Sequence, residues 1–85
     1  MGDNMETRVA MIAIIVENMN SVEKLNSILH EYATYIIGRM GIPYSKKKIS
    51  IISIAVDAPQ DYINTLCGKI GKIEGISSKV VYSNV

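Results

Sequence analysis

A chain of 85 residues with a net charge of +1 and a pI near 7.8 makes one small domain with too weak a field to hold nucleic acid or an acidic membrane by overall charge. It is 48% hydrophobic but has no Trp or Phe, so its apolar content is mainly Ile and Val and its expected core is sheet-rich. One Cys rules out an internal disulfide. With no signal-peptide pattern and no apolar run near the ~20 residues of a membrane span, a cytoplasmic protein without membrane contact is expected.

Residues 1–7 mix Gly, Asp, Asn, Glu and Thr without period and are expected to be a disordered N-terminal extension to a single domain over 8–85. Residues 9–16 are Ile- and Val-rich, apolar on both alternating faces and too short for a typical helix, which predicts a central strand. Residues 17–20 turn the chain. Asn20 is the expected N-cap of a helix, with Glu23 completing a capping box. Val22, Leu25, Ile28, Leu29 and Tyr32 then recur at helical spacing.

Residues 35–42 form an extended pattern with two glycines, closed by Pro43, as suits a bulged edge strand. Residues 45–48 are the loop. Residues 49–56 predict a second central strand, with Ile49, Ile51 and Ala55 on one face and Ile52, Ile54 and Val56 on the other. A second helix is expected to start around Asp57 to Pro59, to carry the stripe Ile63, Leu66, Cys67 and Ile70, and to end at Gly68 or Gly71. Residues 76–82 alternate weakly, as an edge strand would.

The order strand, helix, strand, strand, helix, strand, with right-handed crossovers, predicts an α+β protein of ferredoxin-like βαββαβ type. Its four-stranded antiparallel sheet carries both helices on one face and its first and third strands in the centre. Those strands are apolar on both sides, so the bare face would exceed the ~400 Å² apolar patch that soluble monomers tolerate. A homo-oligomer, dimer or tetramer, joined through the sheet face is therefore expected.

The chemistry-bearing residues are few. His30 falls in the last turn of the first helix, where the helix dipole favours a basic side chain; a ligand role would need copies gathered by symmetry. Cys67 lies on an apolar stripe and reads as a small buried hydrophobe. Arg39, in an otherwise apolar strand, suits an interface pair or an anionic ligand. Gly68 to Gly71 match the Gly-x-x-Gly of nucleic-acid-clamping loops, but their flanks favour a helix C-terminal cap. Lys46, Lys47 and Lys48 read as a solvated loop. No paired acids, nucleophile with base, P-loop or metal-ligand cluster is present, so neither an enzyme nor a cofactor or metal site is expected.

Leu25-Asn26 through Leu29-His30, then Ile37, Arg39, Gly41 and Pro43, then the Leu66 to Gly71 run with Gly75, resemble the small bacterial ACT-like proteins described as regulators of the iron-only hydrogenase system. The resemblance spans about residues 8–82. It implies the ferredoxin-like fold of ACT domains, similar to the regulatory domain of nickel-responsive repressors, and a role in transcriptional or metabolic regulation in anaerobic bacteria. ACT domains commonly bind small effectors between subunits. The reading carried forward is a non-enzymatic, oligomeric sensor with an effector site near the subunit boundary formed by His30, Arg39, Gly68 and Lys69. This reading allows a protein partner and does not favour direct nucleic-acid contact. The alternatives are a ligand-free protein-interaction module, or a small nucleic-acid binder using Lys46, Lys47, Lys48 and Lys69.

Overall fold

A computed structural model describes residues 6–84. Strand β1 (Arg8–Val16) leads through a 3₁₀ turn (Met19–Ser21) into helix α1 (Val22–Glu31). A second 3₁₀ turn (Ala33–Tyr35) leads to the hairpin of β2 (Ile36–Tyr44) and β3 (Ile49–Ala58). Helix α2 (Gln60–Gly71) and strand β4 (Ile76–Tyr82) complete the chain. The sheet order is β2-β3-β1-β4 with every neighbouring pair antiparallel. This is the ferredoxin-like arrangement, with β1 and β3 in the centre as their composition requires. The expected disordered start falls largely on residues 1–5, which lie outside the described residues; Glu6 and Thr7 have no regular structure.

The two-residue period of the strands sorts side chains onto two faces. Ala10, Ile12, Ile14 and Val16 of β1 and Ile52, Ile54, Val56 and Ala58 of β3 all point to the helices and are buried. The register sets Ile12 opposite Ile54 and Ile14 opposite Ile52, and Leu25, Leu29, Ile63, Leu66 and Ile70 close over them from α1 and α2. Each fully buried side chain of this size contributes about 1.5–3 kcal/mol.

Four boundaries differ from the sequence expectation. Asn20 is not the helix cap: Asn18 accepts the Asn20 backbone N–H at 3.0 Å and starts a 3₁₀ turn, so α1 begins only at Val22. Ser21, at the N-cap position of α1, instead donates its hydroxyl to the Glu74 carbonyl at 2.7 Å, so the approach to α1 is tied to the α2–β4 turn. Pro43 does not close β2, which runs on to Tyr44; on an edge strand the missing proline N–H costs no ladder bond. Likewise β3 continues to Ala58 and Pro59 takes the N-cap position of α2; of the two expected stops, Gly68 sits inside that helix and Gly71 ends it, as one of the alternatives had it. The expected bulge in β2 is present between Ile36 and Gly38.

The face away from the helices is apolar and uncovered. The registers place Val81, Met11 and Ala55 in one row across β4, β1 and β3, and Ile15, Ile51 and Ile42 in another across β1, β3 and β2. Met40 is 61% exposed and Val81 68%.

Candidate functional site

Arg39 pairs with Ile54 across the sheet, so its side chain falls on the helix side, where Nη2 donates to Asn26 Oδ1 of α1 at 2.7 Å. His30, exposed in the last turn of α1, lies one turn beyond Asn26 on the same flank. Lys69 of α2 stands on the other flank. Its Nζ is 3.1 Å from Glu31 Oε1 and 5.3 Å from the Tyr32 ring centroid. Asn26 and Glu31 are five residues apart, hence about 140° around α1. The structure thus pairs Arg39 with the His30 flank and Lys69 with the Glu31 flank. Gly68 lies beside Lys69 on α2 and is not a turn residue.

A cleft of about 350 Å³ opens on the Lys69 flank, lined by Glu31, Tyr32, Tyr35, Tyr62 and Thr65. The Tyr35 and Tyr62 rings meet edge to face with centroids 5.2 Å apart, a favoured aromatic geometry. Burial, and then the neighbouring Tyr62, push the Tyr35 phenol above its usual range. The hydrogen bond to Glu31 raises the Lys69 ammonium above its usual range, and Lys69 stands against Glu31 and Tyr32, two of the residues that line the cleft. Thr65 commits its hydroxyl proton to the Asp61 carbonyl at 2.9 Å, leaving its oxygen free to accept. The lining therefore offers ring surface, a carboxylate paired with Lys69 and a hydroxyl acceptor to a small amphiphilic ligand.

Tyr62 and Thr65 were not singled out by sequence reasoning. Three of the five tyrosines converge here, but Tyr35 and Tyr62 sit on different elements, and only the packing of α2 against the end of α1 brings them together. Cys67 is half-buried against the core, and burial pushes its thiol up, which makes it a poor nucleophile. Among the described residues no three metal-ligating side chains gather. No helix there is long and apolar enough to cross a membrane.

Fold and surface together define a ferredoxin-like, ACT-like module. The sequence pattern of the TM1266-like family, described as "Iron-only hydrogenase system regulator, putative", matches residues 8–80, and the chain belongs to that family. The solved structure of the uncharacterized protein TM1266 from Thermotoga maritima is similar at a TM-score of 0.87 and 29% identity, covering 91% of this chain and 98% of that one. A formyltetrahydrofolate deformylase from Pseudomonas putida KT2440 shares the fold at a TM-score of 0.66 and 12% identity, over 91% of this chain and 29% of its own. No protein with a curated description matches the chain.

Proposed function

We propose that this member of the hydrogenase-regulator family acts without catalysis, as a homo-oligomeric sensor whose subunits join through the bare sheet face and whose effector binds on the helix side. The observation that carries the reading is that face: Met11, Ile15, Met40, Ile42, Ile51 and Val81 stand in registered rows with nothing over them, and contiguous apolar surface of this kind marks an interface.

For the effector, the Tyr32–Tyr35–Tyr62 cleft, with Lys69 against its Glu31 and Tyr32, supports one contact region, beside Gly68 on α2. Arg39 and His30 supply a second on the opposite flank of α1. A ligand that uses all four residues of the original expectation needs two copies of the chain, as in a tetramer. The link to the hydrogenase system rests on the family, and regulation of transcription would run through a protein partner, because the described residues contain no helix pair suited to the major groove.

Multi-angle light scattering and a thermal-shift screen of small metabolites test the proposal together. An oligomer at micromolar concentration is expected, with a melting shift for one ligand class that Lys69→Ala or Arg39→Ala abolishes. A monomer sinks the assembly, and an oligomer indifferent to every compound leaves a ligand-free interaction module instead.

A further inference from the structure

The uncovered face of the sheet is apolar except for scattered Ser and Gly and two charges of opposite sign, Lys79 on β4 and Asp57 at the end of β3. Both are exposed. Their registers, Lys79 with Ala13 and Asp57 with Val9, place both on this face rather than toward the helices. Among the described residues neither has an ion-pair partner within the chain. They lie on either side of β1, two strand spacings and four residues apart, which is about 16 Å at ordinary sheet dimensions. That distance prevents pairing in one chain. Yet a charge carried into a closed interface must find a partner, because left unpaired and desolvated it weakens the association.

Face-to-face packing of two copies about a two-fold axis solves this, because in such an interface residue i meets residue j and j meets i. The axis that lays Lys79 over Asp57 passes through the midpoint between them. That midpoint is on β1, the strand between β4 and β3, at the residue midway between positions 9 and 13, which is Met11. We propose that two copies pack their open sheet faces with the two-fold axis over Met11, so that Lys79 of each copy pairs with Asp57 of the partner subunit. This rests on the assembly proposed above and adds its register.

Three features of the face fit. Met11 is 46% exposed, and its adaptable thioether suits a self-contact. Its row neighbours Val81 and Ala55 leave the dyad region wholly apolar. The same axis makes the strands of the two sheets cross at roughly 70°, near the orthogonal class of sheet packing. Faces about 19 Å wide that cross at this angle overlap over about 390 Å² of flat footprint per copy before side-chain relief, about half the ~800 Å² per partner of a standard stable interface.

The test is a charge-swap cycle on the full chain, read as the dimer dissociation constant by sedimentation. Asp57→Lys and Lys79→Asp are each expected to weaken the dimer by at least ~10-fold, and the double swap to restore it to within about threefold. Both positions are exposed in the single chain, so melting curves serve only to confirm folding. In a Cys67→Ser background, Met11→Cys should cross-link to itself with a short bis-maleimide. Single swaps without effect, or a double swap as weak as the singles, overturn the register. If Ile51→Glu nevertheless breaks the dimer, the sheet-face assembly survives that result. A monomeric wild-type chain, whose face is then left for another protein, overturns both.

Discussion

Gly75 shows how one position can constrain a turn. Its φ of +78° lies in the left-handed region, and a Cβ there would crowd Asn18, whose backbone nitrogen would be 3.1 Å away. Its carbonyl accepts the Glu17 N–H at 2.6 Å, so the turn cannot move aside freely. Gly75→Ala should destabilise the fold by about 1–3 kcal/mol, seen as a lower urea midpoint. Cys67 makes a different prediction. Burial raises its thiol above the ordinary 9.0, so the unfolded chain releases this proton first as pH rises. The thiol's contribution is complete below that pH and is lost as pH climbs through the folded-state value. Melting temperature should begin to fall above about pH 9, and Cys67→Ala should delay that onset. The exposed Lys69–Glu31 pair (45% and 57%) lies in the class that contributes little to stability. Lys69→Ala should alter ligand response while leaving the melting point nearly unchanged.

Among the elements, the approach to α1 departs most from the pattern of its residues. Asn20 with Glu23 has the spacing of a capping box, yet Asn18 does the capping because the chain must first turn through Met19–Ser21 to set Ser21 against the Glu74 carbonyl. A long-range bond to the α2–β4 turn outcompetes the local one. Asn18→Ala should therefore cost about 0.5–2 kcal/mol, a fall of several degrees in melting temperature for a domain of this size. Asn20→Ala should stay within about 0.5 kcal/mol. Equal losses at the two positions would reinstate the local cap. Edge strand β2 follows the same logic: its two glycines and Pro43 signalled an irregular edge, and the bulge between Ile36 and Gly38 re-aims Arg39 to the helix side.

For the whole molecule, the decisive property is a sheet covered on one face only. Ile51, 37% exposed, sits at the centre of an open row between Ile15 and Ile42, so Ile51→Glu places a charge where a partner sheet is proposed to pack. It should convert the oligomer to monomer in light scattering while leaving the circular dichroism spectrum intact. The same change buried toward the helices, at Ile52 or Ile54, should unfold the chain, because a lone carboxylate there has no partner. The contrast between neighbouring positions on one strand tests which face serves folding and which serves assembly.

Much of this architecture was legible in the residues alone. The two Ile- and Val-rich runs identified the central strands, and the helical stripes of Leu25–Leu29 and Ile63–Leu66–Ile70 gave the covering layer, because hydrophobic period is a local property that burial acts on directly. The predicted imbalance, two helices for two apolar faces, needed only the order of the elements. Tertiary structure decided what depends on distance between segments: that Asn18 rather than Asn20 caps, that Arg39 reaches Asn26 while Lys69 reaches Glu31 on the far flank of the same helix, and that Tyr35 and Tyr62 share a cleft. No spacing along the chain encodes those meetings, which arise only when strand register and helix packing set separate segments within a few ångströms of one another.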